Sequence, residues 1–309
     1  MTLVLAVNGP ESIWLLADRR LSYKGHQPKD DARKVMCLET NDGVAILGYA
    51  GLGATALGTE PADWMSAVLR GRNLLLEQSL GVLAEAMKKQ LPPHMIRMPG
   101  NGGPAHTVIV PAFLGNEPRL YTIDMVFAPD RKSFAFRYTR RVIEKPAQAT
   151  VRTPRFGIGG TGAPYLIQDK KWMRKLLRVV KANDRGRVSS LAVADHLAHL
   201  NYEVHLGTPD KSVGPRCIVV WRYRKGGFHK GGGGEQYYTG MTRDASGPPL
   251  LPTIGNGMDI RALIDALMPR TMKMFEAMRA TGEPAMELDK DELNAELAHL
   301  PDEPDENLR

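Results

Sequence analysis

The chain opens with MTLVLAVNGPESIWLLADRRLSYKGHQPKDDARKV, residues 1–35, in which three chemically different side chains stand at equal intervals. A hydroxyl follows the first methionine at Thr2, a carboxylate comes sixteen positions later at Asp18, and an ammonium sixteen beyond that at Lys34. A hydroxyl, a carboxylate and an ammonium can act together in nucleophilic catalysis if folding brings them within hydrogen-bonding reach. The surrounding strands and turns decide whether these three side chains meet.

Four short strands are predicted ahead of residue 51. Asn8-Gly9 and Asp42-Gly43 separate them in pairs, and both dipeptides are typical of tight turns between antiparallel strands. The four apolar runs cover residues 2–7, 12–17, 34–38 and 44–48. Two adjacent hairpins are the expected result.

Beyond residue 51 the pattern alternates between helical and strand-like segments. A helix is predicted over residues 60–91, with a possible break at Gly71 and an end at Pro92-Pro93. Strands at 107–113, 119–124 and 133–143, helices at 164–181 and 189–204, and a strand at 216–222 follow; a glycine-rich turn within 223–238 then closes a hairpin. This order fits an α+β fold, a four-layer αββα sandwich of two antiparallel sheets between helical layers.

The character of the chain changes after residue 240. We expect one domain over residues 1–240, a linker and helical extension over 241–282, and an acidic, flexible tail over 283–309. The extension contains an amphipathic helix at 258–280. Its inward positions are predicted to be Ile260, Leu263, Leu267, Met272 and Phe275.

Composition argues for a globular chain in the cytoplasm. Apolar residues make up 43% and charged residues 24% of the 309. No apolar run approaches the roughly 18 residues of a membrane span, and the apolar stretch 3–7 is too short for a signal peptide. Cys37 and Cys217 each lie in an apolar run, which indicates buried, reduced thiols.

The net charge of +7 is unevenly distributed. Residues 283–309 contain ten acidic and two basic residues, a net −8, so the rest of the chain carries about +15. Its basic residues are scattered, and no nucleic-acid motif accompanies them. We therefore expect neither a nucleic-acid partner nor a membrane partner.

The opening stretch resembles the proteasome β-subunit family of N-terminal-nucleophile hydrolases, including its bacterial relatives. In that family an N-terminal threonine precedes a DxR on the second strand and a lysine opening the third, matching Thr2, Asp18 with Arg20, and Lys34. DDARKV and GVAILGYAGLG resemble the third and fourth strands, and the spacing holds through Gly48 without insertion. The likeness covers about residues 2–238.

Two later blocks extend the resemblance. GIGGTGAPYLIQDKKWMRKLL is similar to a strand-to-helix passage in which Thr161 stands where the family has a serine. NYEVHLGTPDKSVGPRCIVVW is similar to a helix-to-strand region that supplies an aspartate and a serine, here Asp210 and Ser212. That pair is one residue closer together than in the family.

The resemblance implies a role for each matched residue. Thr2 would be the nucleophile, its own α-amine taking the hydroxyl proton through a water. Lys34 would favour the alkoxide, Asp18 would hold Lys34 charged, and Arg20 would brace Asp18. The Gly48 N–H would bind the oxyanion.

The same resemblance implies a peptide-binding groove. Leu21, Ala32, Ile46 and Ala50 would line an apolar pocket for the side chain before the cleaved bond, and Ser22 and Ala50 would offer backbone groups to an extended peptide. It also implies a homo-oligomeric ring with inward-facing sites. The sequence leaves an unfoldase or other accessory partner open.

Activity would require removal of Met1, which methionine aminopeptidases allow before a small residue such as threonine. Two alternatives stay open: a non-catalytic structural or binding protein of the same fold that retains Met1, and a hydrolase of small amides rather than peptides. No metal or cofactor is expected. GIGGTG lacks the lysine of a phosphate loop, and His196 and His199 have no third ligand at a suitable spacing.

Overall fold

A computed structural model describes residues 2–21, 27–51, 59–95, 106–127, 134–140, 155–168, 171–209, 211–224, 232–245 and 251–281. Met1, Ser22 and Asp210 lie outside these ranges, as do the glycine-rich turn at 225–231 and the acidic tail.

The described residues form thirteen strands and six helices. The strands are β1 Val4–Asn8, β2 Ser12–Asp18, β3 Val35–Thr40, β4 Gly43–Ala50, β5 Thr107–Leu114, β6 Glu117–Phe127, β7 Phe134–Arg140, β8 Arg155–Gly159, β9 Arg216–Tyr223, β10 Gly233–Thr239, β11 Thr242–Asp244, β12 Thr253–Gly255 and β13 Met258–Asp259. The helices are α1 Pro61–Leu69, α2 Leu76–Met95, α3 Ala163–Gln168, α4 Lys171–Asp184, α5 Ser190–Gly207 and α6 Ile260–Thr281.

The strands form two mainly antiparallel sheets. The first has the order β11-β10-β9-β2-β1-β8, and the second the order β13-β12-β3-β4-β5-β6-β7. Both predicted hairpins are confirmed, with Val4 opposite Ala17 in one and Val35 opposite Gly48 in the other. The hairpin of β9 with β10 is confirmed as well.

Three apolar layers separate the sheets and helices. On β1, Val4 and Ala6 face the second sheet, whereas Leu5 and Val7 pack toward α4 and α5, because successive strand residues point to opposite faces. The second sheet packs its other face on α1 and α2. Strands covered on both faces are apolar throughout, which explains the unbroken run LVLAV. The αββα sandwich is therefore confirmed.

Two predicted helix boundaries are wrong. The possible break at Gly71 in the helix expected at 60–91 is confirmed, because α1 ends at Leu69 and α2 begins at Leu76. The expected end at Pro92-Pro93 is wrong, because α2 continues to Met95. The fixed φ of proline is compatible with a helix, so these prolines remove N–H bonds without ending it. The segment 164–181 likewise forms α3 and α4. The Ser189 cap is confirmed, since its hydroxyl accepts from the Ala192 N–H at 3.3 Å.

The inward positions predicted on α6 are correct only near its start. Ile260, Leu263 and Leu267 are partly buried, but Met272 and Phe275 are 52% and 60% exposed. The helix contacts β12 and β13, which lie at its N-terminal end. Periodicity identified the apolar side of the helix but not how much of that side packs against the rest of the protein.

Residues beyond 240 also contribute to both sheets. β11 extends the first sheet, and β12 pairs in parallel with β3, placing Thr253 opposite Cys37. The division of the chain at residue 240 stays a prediction. No helix among the described residues is long and apolar enough to cross a membrane.

A buried histidine fixes the start of β5. His106 Nδ1 lies 2.6 Å from the Tyr49 hydroxyl, and the ring packs edge-on against Phe136. His106 Nε2 is buried with no hydrogen-bond partner. Burial lowers the pKa of His106 to about 4, so the imidazole is neutral in the folded protein near neutral pH.

We predict that His106 makes the fold sensitive to mild acid. Between the folded pKa of about 4 and the ordinary value near 6.5, the unfolded chain binds a proton that the folded chain does not. The free energy of unfolding therefore has its full value above about pH 6.5 and decreases by up to about 3 kcal/mol as the pH falls toward 4. Denaturant unfolding across this window should show a smaller loss of stability in His106→Phe.

The control is His199→Phe on α5, where the side chain is half exposed. Burial raises the pKa of Asp184 to about 6, and that group gives a slope of opposite sign over the same window. The difference between variant and wild type is therefore the quantity to compare. Parallel stability curves for His106→Phe and wild type would contradict the prediction.

Candidate active site

The Asp18 carboxylate lies at the centre of the site and is fully buried at the end of β2. Its Oδ1 accepts from the Thr2 hydroxyl, from Leu3 N at 2.8 Å and from Lys34 Nζ at 3.1 Å. Its Oδ2 accepts from the backbone N–H groups of Arg20 at 3.1 Å and Gly214 at 3.0 Å. Five donors satisfy one carboxylate, as a buried charge requires.

Lys34 precedes β3 and is also buried. Its Nζ donates to Thr2 Oγ1 at 2.8 Å, to Asp18 Oδ1 at 3.1 Å and to the Arg20 carbonyl at 2.6 Å. Three acceptors match the three N–H groups of an ammonium. Burial lowers the pKa of Lys34, and the adjacent Asp18 carboxylate opposes that shift. The contacts favour the ammonium form.

The turn after β8 encloses the backbone of Thr2. Thr2 N donates to Thr161 Oγ1 at 3.1 Å, and Gly162 N donates to the Thr2 carbonyl at 3.2 Å. Gly160 has a positive φ of 86°, and a Cβ there would lie 2.1 Å from that carbonyl oxygen. GIGGTG is thus a strand-to-helix turn, as expected, whose glycine allows close approach to Thr2.

Thr161 connects the Thr2 amide to a second hydroxyl. Thr161 Oγ1 lies 3.3 Å from Ser212 Oγ, so Thr2 N, Thr161 and Ser212 form a polar chain. The structure thus brings Thr161 and Ser212 to Thr2. Asp210 lies outside the described residues.

Arg20 supports the site chiefly through its backbone. Its N–H bonds to Asp18 and its carbonyl bonds to Lys34, whereas its guanidinium forms a double ion pair with Asp30, at 2.6 and 2.7 Å. The guanidinium also donates to the Lys211 carbonyl at 2.7 Å. Arg20 therefore holds Asp18 and Lys34 in place through its main-chain N–H and carbonyl, and not through its guanidinium.

Gly48 lies in β4, between Val35 of β3 and Ile109 of β5. A Cβ at this position would lie 2.7 Å from the Leu15 side chain and 2.9 Å from that of Val4. Packing of the two sheets therefore favours glycine at this position. Binding of an oxyanion by its N–H stays a prediction.

The residues predicted to bind substrate are buried. Ile46 and Ala50 lie in the apolar layer between the sheets, and Ala32 bonds through its N–H to the Arg19 carbonyl at 3.0 Å. Leu21 exchanges two backbone hydrogen bonds with Lys29, at 2.7 and 3.0 Å. Ser22 lies outside the described residues. The substrate pocket stays a prediction.

Sequence reasoning missed two residues that hold the site together. Asp30 orients Arg20, and Gly214 supplies an N–H to Asp18. A Cβ on Gly214 would lie 2.8 Å from both Arg20 Cβ and Asp30 Oδ1, so only glycine fits. The acidic pair Asp30-Asp31 is the one sequence signal for a partner of Arg20, and it was not used; no residue near Gly214 in the sequence signals the contact of Gly214 with Asp18.

No group of three or more His, Cys, Asp or Glu side chains is placed to hold a metal ion in the part of the chain that the structure describes. His199 instead pairs with Glu203 one helical turn away, at 3.1 Å. The absence of a metal from the function stays a prediction.

Solved structures of Anbu proteins are similar to this chain. An Anbu Gly-1 mutant from Hyphomicrobium sp. strain MC1 has 14% identity and a TM-score of 0.46, with 94% of this chain and 100% of that chain covered. The helical assembly of the Anbu complex from Pseudomonas aeruginosa has 13% identity and a TM-score of 0.46, with 93% and 99% covered. Anbu from Yersinia bercovieri, described as an ancestral beta-subunit, has 12% identity and a TM-score of 0.42, with 93% and 100% covered.

These comparisons correct the family expected from the sequence. No family model and no curated protein matches the chain. The similar structures are Anbu proteins, so the assignment to the proteasome β-subunit family is wrong. That assignment was based on short motifs around Thr2, Asp18 and Lys34.

Proposed function

We propose that the chain is a threonine-type amidohydrolase, a peptidase that uses Thr2 as its nucleophile once Met1 is removed. The observation that supports this most directly is the contact of 2.8 Å between Lys34 Nζ and Thr2 Oγ1, with both groups hydrogen-bonded to Asp18. A hydroxyl held by an ammonium and a carboxylate in a buried site is suited to become an alkoxide.

Removal of Met1 would convert the Thr2 amide nitrogen into an amine. That amine, with a pKa near 7.7–8.0 in model peptides, takes the hydroxyl proton through a water. Thr2 Oγ1 then forms a bond to the substrate carbonyl carbon, and the C–N bond breaks as the leaving amine receives the proton. Water hydrolyses the resulting ester and restores the hydroxyl.

Two neighbouring groups would assist these steps. The Lys34 ammonium stabilises negative charge on Thr2 Oγ1, because its donors are already oriented and both residues are buried. Thr161 Oγ1 lies 3.1 Å from Thr2 N and would orient the freed amine. One preorganised donor typically contributes about 3 kcal/mol to such a transition state.

The remaining sequence assignments belong to the same proposal. Gly48 N–H would bind the oxyanion, Asp210 and Ser212 would support the amine, and a peptide would lie along Ser22 and Ala50. Leu21, Ala32 and Ile46 would have to open toward the substrate, since all three side chains are buried here.

We also propose a cytoplasmic location. Cys37 and Cys217 are free and buried, and burial raises the pKa of Cys37 to about 12, so its thiol is unreactive near neutral pH. Buried, unpaired thiols suit a reducing compartment.

The alternative with Met1 retained is a binding or structural protein, and intact-mass measurement of the native protein separates the two. A mass lacking one methionine, together with labelling of Thr2 by an epoxyketone, supports the hydrolase. Retention of Met1 in all of the protein would contradict it. Fluorogenic peptides tested beside small amides then distinguish a peptidase from a small-amide hydrolase.

We predict that Thr2→Ala lowers the rate of amide hydrolysis by at least about 10³-fold, because the nucleophile is lost. Thr2→Ser should retain part of the activity, since it keeps the hydroxyl and the amine. Both variants are assayed with fluorogenic peptides, beside Thr242→Ala as a control on the exposed strand β11. Unchanged hydrolysis by Thr2→Ala would contradict the mechanism.

We further propose that the chain forms a homo-oligomer through α6. Its exposed apolar side chains follow helical spacing, at Met268, Met272, Phe275 and Met278. A second copy of the chain would cover these side chains and remove them from water.

The double variant Met272→Glu with Phe275→Glu should lower the assembled mass measured by light scattering, because two carboxylates would have to be buried at the contact. Met241→Glu, at an equally exposed methionine on another surface, serves as the control. An assembly unaffected by the double variant would exclude α6 as the contact.

A further inference from the structure

Helix α4 and the turn after it are strongly basic on the side that faces solvent. The segment 171–187 contains seven basic residues and one acidic residue, a net charge of +6. All seven basic residues are exposed; they are Lys171, Arg174, Lys175, Arg178, Lys181, Arg185 and Arg187. We call them the basic face of α4. Bases that are scattered along the sequence are thus concentrated here by the fold.

Helical spacing explains why these side chains lie together. Arg174, Arg178 and Lys181 follow one another at intervals of four and three residues, and such residues share one side of a helix. The opposite side packs into the apolar layer beneath α4 through Leu176 and Val180. This buried stripe fixes the rotation of the helix, so the basic side is held toward solvent.

The basic face lacks carboxylate partners in the part of the chain that the structure describes. With the exception of Lys171, its residues form no ion pair with a described residue. The one acid of the segment, Asp184, is partly buried and accepts from the Ser12 hydroxyl at 2.5 Å. Like charges three or four residues apart destabilise a helix. An acidic partner would remove that electrostatic cost.

The acids of the adjacent helix α5 are engaged elsewhere. Its two acidic residues are Asp195 and Glu203. Asp195 pairs with Arg243 at 2.6 Å, and Glu203 pairs with His199 at 3.1 Å. Carboxylates that neutralise the basic face therefore have to come from outside the described residues or from another molecule.

The chain itself contains a segment of complementary charge. Residues 283–309 carry a net −8 and lie outside the described ranges. Helix α6 ends at Thr281, so 28 residues follow it, and at about 3.3 Å per residue they extend up to about 90 Å. A compact domain of this size has a radius of gyration of about 19 Å. The acidic segment is thus long enough to reach any surface of its own molecule.

We propose that the acidic segment 283–309 binds the basic face of α4 in the same molecule. Its carboxylates pair with the exposed guanidinium and ammonium groups. Each exposed ion pair is weak, but covalent attachment gives the segment an effective concentration of roughly 1 mM, so several weak pairs keep the face covered. The segment thereby shields the face from other polyanions, including nucleic acid. This inference does not depend on the proposed hydrolase activity.

The direct test is carbodiimide cross-linking of the full wild-type chain, which joins a lysine amine to a carboxylate in contact with it. Mass spectrometry of the monomer band from a denaturing gel should identify links from Lys175 and Lys181 to acids of 283–309. Lys88 and Lys89, exposed on α2, are the internal control and should form at least about fivefold fewer links. In about 1 M sodium chloride, where charges are screened beyond about 3 Å, the α4 links should be lost.

The same measurement can refute the proposal without any variant. Links that are equally frequent at the lysines of α2 and α4 would show that the segment contacts all surfaces alike, and would overturn it. Links found only in a dimer band would overturn the assignment to the same molecule. Loss of the α4 links on addition of an equimolar DNA duplex would assign the face to nucleic acid instead.

Charge reversal on the basic face gives the second test. Arg174→Glu with Arg178→Glu places good helix formers at two exposed positions, so the helix is retained. This double variant should lower the yield of α4 links by at least about fivefold, because attraction is replaced by repulsion. Lys88→Glu with Lys89→Glu reverses the same number of charges on α2 and should leave that yield unchanged. Equal yields in the two double variants would refute binding at α4.

Discussion

The buried carboxylate of Asp18 is the interaction on which the rest of the structure depends. An ionised carboxylate without water is very costly unless its oxygens are fully hydrogen-bonded. Here its donors come from the residue before β1, from the segment after β2, from the lysine before β3 and from the loop before β9. One charge therefore fixes the relative positions of both sheets and of the side chains around Thr2.

Two buried cations lie close to this carboxylate and differ in how they are neutralised. Lys34 has three acceptors, one of them charged, and thus a complete set of partners. Arg19 has two backbone carbonyls and an aromatic face, which solvate part of a guanidinium without balancing its charge. Complete coordination fixes the position of the Lys34 ammonium, whereas fewer contacts hold the Arg19 guanidinium.

The sequence was sufficient for the parts of the structure that local rules govern. Turn dipeptides located both opening hairpins. The family resemblance implied that Thr2, Asp18 and Lys34 are neighbours, and the structure brings them within hydrogen-bonding distance. Gly214 was not predictable, because its contact to Asp18 joins residues 196 positions apart. The exposed positions Met272 and Phe275 were also missed, since periodicity reports which side of a helix is apolar and not whether anything covers it.

The pairing of β12 with β3 has a consequence for how the chain can be divided. Cys37 N bonds to the Pro252 carbonyl at 2.9 Å, and Asn256 N bonds to the Glu39 carbonyl at 2.8 Å, so the late segment closes the side of β3 that β4 leaves open. A protein shortened before residue 251 would present an unprotected sheet edge next to Lys34, where strands of other molecules can add. A recombinant boundary that respects the fold therefore falls after β13, even though the resemblance noted in the sequence ends well before it.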